Sequence, residues 1–462
     1  MNLFDRYKLS IINLILKIQQ LTKAQAMDPQ QLKNLQNKRF KKILKHAVLN
    51  SDFYRDYYTD HGINIGDLDE ISIEDLPIIN KKIMMENFDR FVCDDSLKKA
   101  DLEEFASNPN FIDKKYKGKY EVINTSGSSG EIGIFVYGPN DWSIIKALVF
   151  TRVSRNRIYF NQKIKYAFIG ITDAHDAGIS IARDSPKIFF DFLPIDITKP
   201  IFESIESINS FMPEILCGYS SGIHLFALEQ LKGNLMIHPK RIICSSDPLT
   251  ANAANTIYDA FKIKPVNFYA ASESLGMAVQ CDYFNGLHMF NDLHIFESIK
   301  QNGERSKLGE PGNLVITTLY NYTQPLIRYR MDDIVVMDDK GCQCKWSFPL
   351  LGKIIGREEE MLVFEIPNGE KITLHPIIFI EFIVPGLVKI QFIQVEKYKL
   401  RINAVVNEDA DKAAATTRIK NKMDVILKTK ELADFISCEI NLVEDIPIDP
   451  KTGKYRLIIP LK

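Results

Sequence analysis

The sequence predicts an α/β chain: a large multi-sheet domain, residues 1–356, followed by a small α+β domain, residues 357–462. Three observations carry this reading. At 462 residues the chain exceeds the size at which one hydrophobic core usually stops growing. From residue 120 onward, apolar runs alternate with glycine loops and helix candidates, a pattern that suits sheets covered by helices. Residues 353–372 then interrupt the pattern with a charged run and the turn signal Asn368–Gly369.

The elements follow in chain order. MNLFDRYKLSIINLILKIQQL carries Asp5, Arg6, Lys8 and Lys17 among its apolar residues. It is expected to form a docked amphipathic helix, with Ile11, Ile12, Leu14 and Ile15 capping the core, rather than a signal peptide, since no convincing cleavage site follows; a membrane-surface helix is the alternative reading. Residues 29–62 begin with Pro29 and keep helical apolar spacing past Ile43 and Leu44. The lysines and arginine at 38–45 read as a solvated helix face. Asp69 and Ser72 are expected to cap short helical turns. KIKYAFIG ending at Gly170, RIICSS after Lys240, PVNFYA after Lys264 and NLVITTLY from Asn313 are the strand candidates. Residues 141–154 and 220–232 are the helix candidates between them. Beyond the boundary, two strands are expected around Glu396–Tyr398, and a polar-faced helix from Glu408 to Leu427.

Charge and cysteine use narrow the function classes. With 58 basic and 59 acidic residues, the chain lacks the basic excess of a dedicated nucleic-acid binder. Seven cysteines spread over this length do not make the framework of a small secreted domain. No apolar run reaches the roughly 18 residues of a membrane span, so no transmembrane contact and a cytoplasmic location are expected. Oligomeric state is left open, a homo-oligomer included.

INTSGSSGEIGIFVYG, residues 123–138, raises the chemical question. Val122 and Ile123 favour a strand leading into Thr125, Ser126, Gly127, Ser128, Ser129 and Gly130. The glycines let backbone approach a ligand closely, and successive N–H groups with the hydroxyls can cradle an anion. The Walker lysine pattern is missing. Taken alone, the stretch reads equally as a phosphate loop or a surface turn.

An ordered set of motifs extends the question to the whole chain. TSGSSG resembles the phosphate loop of the acyl-adenylate-forming enzymes. Almost end to end, including SDFYRDYYTDHGIN, IEDLPIINKKI and LCGYSSGIHLFA, the chain resembles the phenylacetate–coenzyme A ligase branch and its capsular-polysaccharide-associated relatives. The resemblance implies a large adenylate-forming domain and a small mobile lid. Within FYAASESLG it implies that Tyr269 lies near adenine, that Ser272 and Glu273 border ATP, and that Glu273 helps hold Mg²⁺, a hard cation suited to carboxylate oxygen. In PLIRYRMDDIV it implies that Asp333 accepts from the ribose hydroxyls, although Met331–Asp332 replaces the usual Thr-Gly. KIIGREEEMLVF resembles the interdomain junction, which assigns Arg357 to ribose or phosphate, where a guanidinium fork suits anionic oxygen. Glu358 takes the hinge position. The terminal DPKTGKYR places the adenylation lysine at Lys454, whose charge can meet the developing anion.

What the resemblance implies for activity is ATP-dependent activation of a small carboxylic acid, aromatic acids included, to an acyl-adenylate. Acyl transfer follows, to the thiol of coenzyme A or of a carrier protein's phosphopantetheine. His175, Tyr219 and Phe268 are candidate acyl-pocket residues, each equally readable as scaffold. The alternatives are a ligase that transfers AMP to a cofactor and a nucleotide-binding or interaction scaffold without catalysis. Separately, Cys281, His288, Cys342 and Cys344 form a set chemically competent for structural Zn²⁺, with His294 as a replacement ligand; buried reduced thiols are the alternative.

Overall fold

The computed structural model describes residues 3–125, 132–155, 162–173, 175–338, 340–380, 382–407, 410–449 and 454–461, the side chains of residues 3–10 and 377 excepted. Its centre is an eleven-stranded sheet. One half is parallel, in the order Phe190–Asp196, Ile164–Gly170, Ile215–Tyr219, Arg241–Ser245, Val266–Ala271. The other half is antiparallel and runs from Ser274–Gln280 through Leu287–Met289, Leu350–Arg357, Tyr329–Met337 and Pro311–Thr318 to His294–Ile299.

The parallel strands are apolar runs because helices cover them: Ser220–Leu231 and Ala251–Phe261 pack Ile223, Phe226 and Ile257 against Ile169, Leu216 and Ile242. Gly218 has φ +129, and a Cβ there would lie 2.0 Å from the Ile169 carbonyl, so only glycine lets these strands approach. The predicted helix at 141–154 is α-helical over Pro139–Leu148 and widens to a π-turn over Val149–Ser154.

The N-terminal helix, Leu3–Gln25, docks by a narrower face than expected. Leu14 and Leu21 are buried, whereas Ile12 and Ile15 remain 53% and 42% exposed. The seam follows the helical positions 14, 18 and 21, which excludes 12 and 15. The 29–62 segment forms two helices, Pro29–Asn50 and Asp52–Asp60, separated by the extended Ser51. Asp28 and Gln31 close a capping box ahead of Pro29. Asp69 and Ser72 do not cap helices: Asp69 pairs with Lys45 at 2.6 Å, and the Ser72 N–H donates to Asp75. The cap in this region is Asn80, ahead of the helix Lys81–Glu86.

A separate apolar cluster begins at Leu362. It is enclosed by a four-stranded sheet, Ser437–Leu442, Lys399–Val406, Leu387–Glu396 and Ile458–Ile459, with the helix Lys412–Thr429 and the hairpin Leu362–Glu365/Lys371–Leu374. Gly369, with φ +86, makes the hairpin turn. Asn252 joins the two bodies, donating to the Leu387 carbonyl at 2.9 Å.

Candidate functional site

The parallel strands place Gly170, Tyr219, Ser245 and Ala271 at one edge of the sheet. Such carboxyl ends are where open α/β sheets receive ligands. A cleft of about 750 Å³ opens there, between Ser245–Asp247, Phe268–Ala271, the Asp333/Arg357 strand pair and the C-terminal segment carrying Lys454.

Asp333 and Arg357 are directly opposed in the antiparallel ladder. The guanidinium Nε lies 3.5 Å from Asp333 Oδ1, and Nη1 lies 3.7 Å from Glu359. Burial opposes the charge on Arg357, but Asp333, Glu360, Glu273 and Glu359 more than offset it and raise its pKa. The Tyr269 hydroxyl donates to the other Asp333 oxygen at 2.5 Å. Burial first, then the Asp333 charge, holds Tyr269 in its neutral form.

Ser272 and Glu273 form the turn between Val266–Ala271 and Ser274–Gln280. The Ser272 carbonyl accepts from Tyr137 at 2.8 Å, and its hydroxyl donates to the Asn124 carbonyl at 3.4 Å. Burial raises the Glu273 pKa, while Lys81 and Arg357 pull it down. A half-buried carboxylate in that position suits a hard divalent cation, so Glu273 fits the role of a Mg²⁺ ligand.

The same turn fixes the start of the hydroxyl-rich loop. Asn124 ends the strand Glu121–Asn124, which pairs with Ile134–Tyr137. Thr125 closes the neck, its N–H donating to the Gly133 carbonyl at 2.9 Å and its hydroxyl accepting from Gly133 N–H at 2.8 Å. Ser126, Gly127, Ser128, Ser129 and Gly130 lie outside the described residues.

Lys454 lines the cleft. Burial and the Arg357 charge lower its pKa; Asp176, Asp247 and Glu273 oppose them. Asp176 and Asp247 are absent from the sequence-derived set. Asp247 accepts from the N–H groups of Ser220 (2.5 Å) and Ser221 (3.2 Å), the first turn of helix Ser220–Leu231. The Ser-Ser-Asp-Pro after an apolar strand was its signal. Asp176 caps Ala177–Arg183, accepting from Gly178.

The three acyl-pocket candidates separate. Phe268 lines the cleft. Tyr219 is fully buried, and among the described residues no hydrogen-bond partner meets its hydroxyl. His175 packs against Phe105, ring centroids 5.0 Å apart, and its carbonyl accepts from Asn124 N–H at 3.2 Å. Glu358 faces Arg330 and Asn313 instead of the cleft.

Outside the cleft lining, though next in sequence to Gln280 and Leu287 that border it, the ligand atoms of Cys281, His288, Cys342 and Cys344 all lie within 4.8 Å of one another. Cys281 Sγ is 3.5 Å from Cys342 Sγ, and Cys344 Sγ is 3.2 Å from His288 Nε2. His288 Nδ1 meets the Phe348 carbonyl at 2.8 Å, which leaves Nε2 to face the sulfurs. Tetrahedral zinc with bonds of about 2.3 Å to sulfur places thiolates about 3.8 Å apart, so the four residues fit this ion. His294 is not in this set; its Nε2 lies 2.6 Å from Ser274 Oγ.

No protein-family model matches the chain. Individual relatives do. Over 438 residues, 92% of this chain and 88% of the other, it is 23% identical to Protein CapK of Staphylococcus aureus. It is 22% identical to a phenylacetate-coenzyme A ligase of Thermus thermophilus over 354 residues, 73% of each chain. Among solved structures, 2-hydroxyisobutyryl-CoA ligase in a postadenylation state superposes with a TM-score of 0.74 at 16% identity, covering 96% of this chain and 92% of that one. These likenesses support the superfamily of adenylate-forming enzymes. Within that class the relatives it matches include phenylacetate–coenzyme A ligases and CapK, which supports that branch.

Proposed function

We propose that this protein activates a small carboxylic acid with ATP and transfers the acyl group to the thiol of coenzyme A. The observation that carries the reading is the convergence of Tyr269, Asp333, Arg357 and Lys454 on one cleft. In the first step, a carboxylate oxygen of the acid attacks the α-phosphorus of ATP. A P–O bond forms, the bond to the leaving phosphate oxygen breaks, and pyrophosphate departs. Asp333 accepts from the ribose hydroxyls, Tyr269 flanks the base, and the Lys454 ammonium faces the charge that develops between phosphate and carboxylate. Mg²⁺, held by Glu273, would neutralise phosphate charge.

In the second step the thiol sulfur attacks the acyl carbonyl and loses its proton to solvent, and AMP leaves with the electrons of the acyl–oxygen bond. Residues 357–462 act as a lid that presents Lys454 for the first step and withdraws to admit the thiol. The thiol is that of coenzyme A, or of a phosphopantetheine arm on a carrier protein. Phe268 borders the acid. Zinc at Cys281, His288, Cys342 and Cys344 serves structure alone.

Isotope exchange of labelled pyrophosphate into ATP, run over a panel of acids, tests the first step. Mass spectrometry of products with coenzyme A or carrier proteins tests the second. Exchange with at least one acid, followed by a thioester, is expected. Failure of every acid in the panel would favour a non-catalytic nucleotide binder, and an AMP-bearing product without thioester would favour AMP transfer.

A further inference from the structure

Arg357 and Glu358 are consecutive but engage different partners. Arg357 closes the large sheet's ladder opposite Asp333 at the cleft. Glu358 opens the crossing to the second core and is tied to the neighbouring strands. Arg330 Nη2 donates to Glu358 Oε2 at 3.0 Å and to Asn313 Oδ1 at 3.1 Å. Asn313 Nδ2 completes the triangle, donating to the same Glu358 oxygen at 3.3 Å.

The triangle stands on rigid ground at one end. Arg330 lies in the strand Tyr329–Met337, its N–H donating to the Ile79 carbonyl at 2.8 Å, and Asn313 is buried in the adjacent strand. Its other end is held loosely: the Arg330 and Glu358 side chains are each 38% exposed, so water can replace the contact. Gly356, just before the crossing, has φ +129 and abuts Pro376, where a Cβ would come within 2.3 Å. The crossing is thus tight against the small body, and at Glu358 it is fastened to the large one by a breakable polar contact.

We propose that Arg330 and Asn313 are positioning residues: through Glu358 they latch the crossing in the arrangement that keeps Lys454 in the cleft. This rests on the ligase reading above. A latch of this kind favours the first half-reaction and must open for the second. A half-exposed arginine–carboxylate contact of up to about 1 kcal/mol changes a population by no more than about five-fold, strong enough to bias and weak enough to release.

The test uses the full chain with R330Q and E358Q. Three rates are read: pyrophosphate exchange, single-turnover acyl transfer from a preformed adenylate to coenzyme A, and cleavage at Glu359–Glu360 by a glutamate-specific protease without ligands. R330Q is expected to slow exchange about two- to five-fold, leave transfer unchanged or faster, and speed cleavage by a similar factor. E358Q keeps the shape and neutral hydrogen bonds, and is expected to move the same way by less. Parallel loss of both half-reactions, or cleavage at the wild-type rate in both variants, would overturn the latch. If the wild type exchanges with no acid, the ligase reading fails, and the cleavage rates still decide whether Arg330 fastens the crossing.

Discussion

Tyr269 and Asp333 share a hydrogen bond of 2.5 Å across the cleft wall, the phenol donating and the carboxylate accepting. It fixes one Asp333 oxygen, while the other faces the Arg357 guanidinium at 3.5 Å. The carboxylate is therefore oriented in advance, and in the proposed role of accepting from ribose hydroxyls that lowers the ordering cost of binding. Y269F removes the donor and leaves the ring in place. Its ATP dissociation constant, read by calorimetry, should rise by about ten-fold, the scale of one hydrogen bond to a charged group. D333A should weaken ATP more, because Arg357 then loses its closest partner. Equal affinity in Y269F and wild type would separate this pair from nucleotide binding.

Lys454 carries a signed pH prediction. Burial and Arg357 depress its pKa, against the pull of Asp176, Asp247 and Glu273. In the proposed role the reactive form is the ammonium, present below that pKa and lost as pH rises through it. Pyrophosphate exchange should therefore fall on an alkaline limb that begins below the roughly 10.4 of a free lysine. K454A should lose about 10²–10³ in exchange rate while still binding ATP. K454R stays charged, so whatever exchange it retains should lack that limb. An unchanged limb in K454R would assign the titration to another group.

What was legible in the sequence is what is written locally. Strands such as Ile164–Gly170 and Arg241–Ser245 are short continuous apolar runs because both faces are covered, and their boundaries follow from the residues alone. The order of eleven strands is not local, and neither is the insertion of Leu350–Arg357 between Leu287–Met289 and Tyr329–Met337. At the site, the motif residues Tyr269, Asp333, Arg357 and Lys454 were visible by resemblance. Asp176 and Asp247 were not: Asp247 carried only the weak signal of Ser-Ser-Asp-Pro after an apolar strand, and Asp176 looks in sequence like an ordinary loop carboxylate. Their significance arises when two helix starts and the C-terminal lysine meet at one sheet edge. His175 illustrates the converse: a histidine in a glycine-bearing loop that the fold turns inward onto Phe105.

A charged pair governs stability far from the cleft. Arg152 and Asp292 are fully buried and bidentate, with both N···O distances at 2.8 Å. The guanidinium lies 4.9 and 4.6 Å from the Phe290 and Phe348 ring centres, and Nη2 reaches the Leu21 carbonyl of the N-terminal helix at 3.2 Å. Removing one member strands the other charge in a low-dielectric interior. R152A should cost about 3–5 kcal/mol of unfolding free energy in urea titration, softened to the extent that Arg39, 3.6 Å from Asp292, can compensate. A loss under about 1 kcal/mol would mean that water reaches Asp292 in the variant.

The cysteine–histidine cluster makes the last prediction. Cys281 follows the strand Ser274–Gln280, and Cys342 and Cys344 lie in the segment before Leu350–Arg357, so one bound ion would join chain stretches about sixty residues apart. An ion bound to the folded chain and not to the unfolded one raises stability by mass action. Protein purified without a histidine tag should contain one zinc per chain by elemental analysis, and chelation should lower Tm reversibly. C344S should lose most of the zinc and shift Tm downward while ATP affinity is preserved, because the cluster does not line the cleft proposed to hold the nucleotide. Metal-free protein with the Tm of the zinc-loaded form would reduce the four residues to buried thiols beside a hydrogen-bonded imidazole.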